Sequence, residues 1–380
     1  MLVTITGGPP YIPDRPRRAQ TFHSLGRFAH EFGLPFLVTT PDRLLQRGGR
    51  TGWKFVPGQR VEDAWTLQEV DLGGVVYDAM YLDELKRFGP ALRQVRVSLN
   101  RLGVPTFNPV LPGKDVVYRC LADEDLRGGG VPMTWYEAHP RQVLDLLGSM
   151  QQLWIKPVFG SGGRNVAFIQ RLGADLYQFT AERFYGREVR EQVDGAGLRK
   201  LVATACRRGK YVAQEHVPLM ETHDRRKVDF RVTVQRGNGG QWQLIALVAR
   251  FGQPGSILTN YHAGADVLSL TQPAPNRRLL LGQLGLSAGD LTAVQRLALS
   301  VAQRLQSCHP TLALLGLDIG RTVDGRQYVY DCNGRPGRDI LTDDEVAASM
   351  RAVAAYARHL VDHGALLPSQ TRSKAGNIVT

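Results

Sequence analysis

The segment at residues 316–338, GLDIGRTVDGRQYVYDCNGRPGR, constrains the fold more than any other stretch. Alternating apolar residues flank a Val-Asp-Gly turn, and Asp-Gly between β-prone runs is a strong hairpin signal. With Asp324 and Gly325 as the loop residues, Val323 faces Arg326 and Asp318 faces Asp331. A four-residue loop centred on the same pair leaves the opposition of Asp318 and Asp331 unchanged. Paired side chains in an antiparallel ladder share a face, and so do i, i+2 neighbours on one strand. Asp318, Asp331 and Asn333 therefore fall on one face, with Cys332 on the other. Two carboxylates set opposite each other repel. A hard divalent cation, which prefers oxygen ligands, turns that repulsion into attraction. A solvated strand face, or an Asn-Gly turn at the strand end, tolerates the same residues at little cost, so the hairpin alone leaves both readings open.

The rest of the chain divides into two textures. Residues 1–112 alternate short apolar strands, such as MLVTIT and LPFLVTT, with helical stretches such as RAQTFHSLGRFAHEFG. That βαβ order predicts a small parallel α/β domain. Its long second helix, YLDELKRFGPALRQVRVSLNRLG, carries a candidate break near Gly89 and Pro90. Beyond PGKDVVYRCLADE the pattern changes to hairpins: QLWIKPV and NVAFIQRL bracket a glycine-rich loop, KYVAQEHV follows, and DFRVTVQRGNGGQWQLIALVAR turns at residues 237–240. The helix AGDLTAVQRLALSVAQRLQSC precedes the metal-candidate hairpin, and EVAASMRAVAAYARHLVDHG follows it. This second part reads as α+β with antiparallel sheets. The expected division is 1–112, 113–220 and 221–366, with 367–380 a polar tail.

Composition narrows the function class. A chain of 380 residues with 43% hydrophobic and 22% charged residues is ordinary for a folded protein of two or three subdomains. No apolar run approaches the roughly 18 residues of a membrane span. The N-terminus has no basic leader and too short an apolar run for a signal peptide, so a cytoplasmic location without membrane attachment is expected. Cys120, Cys206, Cys308 and Cys332 stand singly, with no Cys-x-x-Cys spacing, so four reduced thiols are expected and neither zinc nor a disulfide framework. The net charge of +12 invites a nucleic-acid reading, but the basic residues are spread without a dense run. A nucleotide or an acidic substrate accounts for the charge as well. Lysine is scarce beside arginine, which makes a lysine at a motif position more noticeable.

Lys156 is such a lysine. It stands on a strand that should be buried, immediately before KPVFGSGGRN, and there it requires an anionic partner. In that loop Gly160, Gly162 and Gly163 allow backbone N–H groups to converge on an anion, with Ser161 and Arg164 adding donors. Neither a Walker A loop nor a Gly-x-Gly-x-x-Gly fingerprint is present. In VAQEHVPL, Gln214 and Glu215 end a strand before Pro218, a crossing that offers backbone groups to an adenine edge. Asp229 and Arg231 share a face by i, i+2 spacing, and Arg250 ends the neighbouring strand. Surface ion pairing explains those three equally well.

Taken in order, GKDVVYR, WIKPVFGSGG, VAQEHV, DFRV, VARFGQPGSILTN, GLDIG and YDCNGRPG resemble an ATP-grasp protein, most nearly the YheC/YheD type described as endospore coat-associated. The resemblance spans essentially the whole chain. It implies an N-terminal parallel α/β (pre-ATP-grasp) domain before a two-subdomain ATP-grasp fold. It assigns Lys114 and Lys156 to the nucleotide, Gly160 to Arg164 to a phosphate-covering loop, and Gln214, the Glu215 carbonyl and the Val217 N–H to the adenine hinge. Asp229 joins the nucleotide set, and Arg231, Arg250 and Asn260 line the phosphate and acceptor region. Asp318, Asp331 and Asn333 match the Mg2+ set, for one or two ions with Mn2+ an acceptable substitute; many relatives carry Glu at the position of Asp331. Arg335, Arg338 and His262 fall on the substrate side.

The implied activity is ligation of a carboxylate to an amine through an acyl phosphate, with ATP converted to ADP and phosphate. No Ser-His or Cys-His nucleophile pattern competes with that chemistry. The arginines near the site point to an acidic amino acid or peptide as substrate. Rival readings are a kinase acting on a hydroxyl, a non-catalytic ATP-binding coat protein, and a nucleic-acid binder resting on charge alone. Association with the spore coat is an implication of the resemblance only.

Overall fold

The computed structural model describes residues 1–364 except 71, 82, 123–125, 127–128, 161, 260–263 and 272–276. Its first sheet collects β1 (Leu2–Ile5), β2 (Phe36–Thr39), β3 (Thr51–Phe55), β4 (Trp65–Glu69), β5 (Val75–Asp78) and β6 (Thr106–Phe107) in the order β4-β3-β2-β1-β5-β6. Strands β2, β1, β5 and β6 run parallel, and β1, β2 and β5 are buried along their whole length. Continuous apolar runs of this kind follow from coverage on both faces. The antiparallel β3–β4 hairpin extends one edge and is an addition to the expected βαβ order. Helices α1 (Pro16–Glu31), α2 (Pro41–Leu44) and α3 (Glu84–Arg101) connect the strands. The break expected near Pro90 is absent, and α3 runs through it. Both Pro90 and Lys86, whose carbonyl loses its donor, lie on the exposed side, where water satisfies that oxygen.

Two antiparallel sheets follow. Helix α4 (Lys114–Leu121) leads to β7 (Thr134–Trp135), α5 (Pro140–Met150), β8 (Gln152–Pro157), β9 (Ala167–Gly173), β10 (Leu176–Phe184), β11 (Arg187–Val193), α6 (Gly195–Arg208) and β12 (Tyr211–Glu215). These strands form the second sheet in the order β11-β10-β9-β8-β12-β7, with α5 and α6 packed on one face. The third sheet, β15-β14-β13-β16-β17, is built from β13 (Val228–Arg236), β14 (Trp242–Phe251), β15 (Asp266–Ser269), β16 (Leu314–Arg321) and β17 (Gln327–Asn333). Its helices are α7 (Arg277–Gln283), α8 (Ala288–Cys308) and α9 (Asp343–His363). Capping boxes start α8 at Ser287 with Asp290 and α9 at Thr342 with Glu345. Helix α9 packs two ways: Val346 and Ala352 lie with Ile245, Ala246 and Val248 of β14, while Met350, Val353 and Ala357 pack with Phe22, Leu25 and Ala29 of α1. The first and third sheets are thereby joined through shared apolar burial.

The β16–β17 hairpin holds the expected opposition of Asp318 and Asp331, but by a different route. Arg321 faces Gln327 and the Thr322 N–H donates to the Arg326 carbonyl (2.9 Å), so the loop is three residues with Gly325 at φ +89°, neither the two nor the four expected. Val323 therefore does not face Arg326. The one-residue offset is cancelled by a bulge: Val329 opposes Ile319 and Asp331 opposes Asp318, which leaves Tyr330 unpaired. The Tyr330 carbonyl is free for other donors, and it accepts the Tyr118 hydroxyl (2.7 Å) and the Lys156 ammonium (3.2 Å).

The expectation of four reduced cysteines is corrected by a disulfide between Cys120 and Cys308. Val117 and Leu121 of α4 pack with Leu297, Val301 and Leu305 of α8, and this brings together thiols 188 residues apart in sequence. Spacing rules detect local pairs and are blind to such a convergence. Cys206 and Cys332 are free. Alkylation in denaturant without reductant should therefore modify two thiols per chain, against four after reduction. Reduction should lower the unfolding free energy by about 2–4 kcal/mol, read as a shift of the urea midpoint.

Candidate active site

A cleft of about 340 Å3 opens between the second and third sheets. One end is apolar. Trp154 on β8 and Phe168 on β9 lie with ring centroids 5.0 Å apart, and the His216 ring sits 4.9 Å from Phe168. The Trp154 indole N–H donates to His216 Nδ1 (3.1 Å), which places the histidine proton on Nε2. Burial, aided by the charge of Lys227, lowers the His216 pKa to about 4, so the ring is neutral near pH 7. Ile257 and Leu258 form the opposite wall, and the Ile257 N–H and Ser256 hydroxyl donate to Glu182 of β10 (2.6 and 2.8 Å). The second sheet is thus latched across the cleft. Glu215 is fastened to Met133 twice, through its own N–H (2.9 Å) and through its carboxylate to the Met133 N–H (2.9 Å). Val217 lines the cleft, and its N–H has no acceptor among the described residues. An apolar, aromatic-lined slot beside an open backbone donor suits a planar heteroaromatic ring.

The other end is charged. Lys156 is buried, donating to Gln214 Oε1 (2.5 Å) and to the bulge carbonyl of Tyr330. Burial, with the nearby charge of Lys114, lowers its pKa to about 8 against the opposing pull of Asp331 and Asp318. Lys114, at the start of α4, is ion-paired with Asp331. The glycine-rich loop closes this end: Gly160, Gly163 and Arg164 line the cleft, and Gly162 and Gly163 adopt φ of +65° and +69°, which side chains rarely accept. Phe159 at the loop's start is 76% exposed.

Behind this surface lies a network of four charges, three of them buried and the fourth, Arg231, partly so. Arg250 pairs with Asp229 through two hydrogen bonds (2.7 and 2.6 Å) and lies 3.2 Å from Asp318. Arg231 holds Asp318 from the other side (2.5 and 3.2 Å), and the Thr259 hydroxyl donates to Asp229 (2.5 Å). Burial opposes the Asp318 charge, but Arg231 and Arg250 outweigh it and hold the carboxyl below its usual range. Asp318 and Asp331 line the cleft, whereas Asp229 and Arg250, both buried, do not.

The sequence-derived residues thus separate. Lys114, Lys156, Gly160, Gly163, Arg164, Gln214, Glu215, Val217, Asp318 and Asp331 share the cleft. Asp229, Arg231 and Arg250 stand behind Asp318, and Asn333 donates to Asp331 (3.3 Å). Arg335 and Arg338 reach the first sheet, at Asp78 and at Tyr77 with Tyr81. Ser161, Asn260 and His262 lie outside the described residues. Trp154, Phe168, His216 and Tyr330 were not anticipated. Trp154 was within reach, since it shares a strand face with Lys156 by i, i+2 spacing.

The donors fit a hard cation. Asp318 and Asp331 oppose each other, the Asn333 amide follows two residues on, and all are oxygen donors. Each carboxylate is matched by a protein cation, Asp318 by Arg231 and Arg250 and Asp331 by Lys114. Among the described residues there is no cluster of three His, Cys, Asp or Glu that could hold a metal, so the set is two carboxylates and an amide.

Two antiparallel sheets gripping a cleft that carries paired lysines, a glycine-rich loop and opposed carboxylates form an ATP-grasp fold. A family model described as YheC/D like ATP-grasp matches residues 103–360, and the chain belongs to that family. Endospore coat-associated protein YheC of Bacillus subtilis (strain 168) is 23% identical over 336 residues, covering 86% of this chain and 88% of that protein. Endospore coat-associated protein YheD of the same organism is 22% identical over 288 residues, 74% of this chain and 60% of that protein. Among solved structures, D-cycloserine synthetase DcsG superposes with TM-score 0.53 at 13% identity, covering 94% of this chain and 100% of that one. Macrocyclase MdnC of Microcystis aeruginosa MRC, bound with precursor peptide MdnA, gives 0.50 at 12% identity with the same coverage. These two likenesses speak for the fold. Among the described residues no helix is long and apolar enough to cross a membrane.

Trp154 and Lys156 make the cleft measurable. ADP binding is expected to change Trp154 fluorescence, and its affinity to fall between about pH 7 and about pH 9. The sign follows from Lys156: phosphate pairs with the protonated amine, which is lost as pH rises through about 8 in the free protein. Lys156→Met should bind ADP more weakly and without that pH dependence. An affinity flat across this range in the parent protein would contradict the assignment.

Proposed function

We propose that the chain is an ATP-dependent ligase that joins a carboxylate to an amine. The observation that carries the reading is the convergence of Lys114, Lys156, the glycine-rich loop and the opposed Asp318 and Asp331 on one cleft whose other end is an aromatic-lined slot. ATP would place its adenine between Trp154, Phe168 and Leu258, with Val217 N–H at the ring edge and the phosphates toward the lysines. Asp318, Asp331 and Asn333 would hold Mg2+, which when bound neutralises charge on the phosphates. A substrate carboxylate oxygen attacks the γ-phosphorus, the bond to ADP breaks, and an acyl phosphate results. The amine nitrogen then attacks the acyl carbon, phosphate leaves with the bonding pair, and the amine proton passes to solvent. No protein nucleophile is required.

The protein's own residues have separable roles. Lys156 and Lys114 offer positive charge to the phosphates from fixed positions, with no reorganisation at the moment of transfer. Arg231 and Arg250 act from behind, keeping Asp318 ionised and oriented, and Asp229 fixes Arg250 in place. The glycine-rich loop and the latch at Glu182 exclude water, which would otherwise hydrolyse the acyl phosphate. DcsG is a synthetase and MdnC a macrocyclase that binds a peptide; a small amino acid or a peptide terminus is accordingly the substrate range to search, and spore-coat association a context to test.

The test is ADP release with ATP, Mg2+ and pooled amino acids and acidic peptides, followed by mass analysis of products. Substrate-dependent ADP with a condensation product is expected, lowered about 10^2–10^3-fold in Asp331→Ala. A product that gains only a phosphoryl group would replace the ligase reading with a kinase.

A further inference from the structure

A second cavity, of about 360 Å3, shares no lining residue with the first and lies against the parallel sheet. Its position follows from topology. From β1 the chain crosses through α1 to β2 on one side, while β5 lies on the other side of β1 and leads through α3 to β6. The carboxyl ends of β1 and β5 therefore flank the point where strand order reverses, the usual ligand crevice of an open parallel sheet. Tyr77, Ala79 and Tyr81, at and after the end of β5, line the cavity together with α1.

The floor and the rim differ in chemistry. Phe22, Leu25 and Met350 form a buried apolar floor. Four arginines reach the rim: Arg15, Arg17, Arg18 and Arg338. Among the described residues only Arg18 of these four has a carboxylate partner, Glu84 at 3.3 Å. Arg17 donates to the backbone carbonyls of Arg338 and Leu341 (3.0 and 2.5 Å). The Arg15 guanidinium has no hydrogen-bonded or ion-paired partner among the described residues. Arg338 donates to two neutral phenols, Tyr81 (2.6 Å) and Tyr77 (3.3 Å), and has no ion pair there. The facing carboxylates are Glu84 and the exposed Asp83 and Asp339. Directly behind, one buried carboxylate, Asp78, serves both Arg335 (2.6 Å) and Arg96 (3.1 Å). Arg335 is 6% exposed at its side chain, and its Nε and Nη1 have no acceptor among the described residues. Partly buried cation held only by phenols, beside a second with unused donors, is a local demand for negative charge.

We propose that this cavity binds a small organic anion, its carboxylate or phosphate against Arg338 and Arg15 and its apolar body on Phe22, Leu25 and Met350. Naming that anion as the acceptor substrate rests on the ligase reading; the anion site does not. The chain connects the two sites closely, since Arg338 follows Asn333 by five residues, at most about 18 Å of extended backbone. A ligand anchored here can extend a reacting group toward Asp331.

The test is calorimetric titration of the intact protein with phenylacetate, phenyl phosphate and the uncharged phenylacetamide, with and without saturating ADP. Binding of at least one anion at millimolar concentration, with phenylacetamide failing to bind, supports the site, and the tighter anion identifies the oxyanion it prefers. Saturating ADP should leave that affinity intact. Arg338→Met and, as a surface change that cannot disturb folding, Arg15→Ala should each weaken it, about tenfold for Arg338. Competition with ADP, equal binding of the amide, absence of binding by both anions, or unchanged affinity in both variants would each overturn the proposal. A failed ligase assay with intact anion binding would remove the acceptor role alone.

Discussion

Everything at the candidate active site depends on four charges, three of them buried, across three strands: Arg250 on β14, Asp229 and Arg231 on β13, and Asp318 on β16. Removing such groups from water is costly, and the cost is met only because two cations and two carboxylates meet in hydrogen-bonding geometry. Removing one partner of a buried pair leaves an uncompensated charge, at about 3–5 kcal/mol. The network therefore also specifies register. Asp229 faces Arg250 and Arg231 faces Asp318, and a slip of β13 by one residue would send Asp229 and Arg231 to the other side of the sheet, away from their partners.

Its consequence at the cleft is a carboxylate that stays ionised although buried. Asp331, directly opposite, is compensated differently, by the single mobile ammonium of Lys114. One carboxylate is thus held by rigid guanidinium forks and the other by a point charge on a flexible stem. Under the proposed function, the second arrangement is the one that an incoming cation would displace, and the lysine so released would be free to meet the phosphates. The bulge at Tyr330 completes the arrangement by giving Lys156 and Tyr118 a carbonyl that a regular ladder would have consumed.

Much of this was legible in the residues. The i, i+2 and cross-strand rules placed Asp318, Asp331 and Asn333 together, and lysine scarcity singled out Lys156. The hairpin shows the limit of such reasoning: the loop was read one residue off in length, and the bulge at Tyr330 restored the register by the same amount. No local signal announces a bulge, which answers to the donors it faces. The aromatic slot was missed because Trp154, Phe168 and His216 come from separate strands and a loop, and only the folded sheet brings them together. The disulfide, the α9 crossover to α1 and the shared Asp78 have the same origin, contacts made between distant segments by packing alone.

The most direct test of the central claim, that Asp331 exchanges Lys114 for a divalent cation when nucleotide arrives, is Mn2+ binding followed by electron paramagnetic resonance. The account predicts weak Mn2+ binding to the protein alone, tight binding once ADP is present beyond what ADP shows in solution, and loss of that gain in Asp331→Asn. Tight Mn2+ binding without nucleotide, or the same gain in the variant, would contradict it.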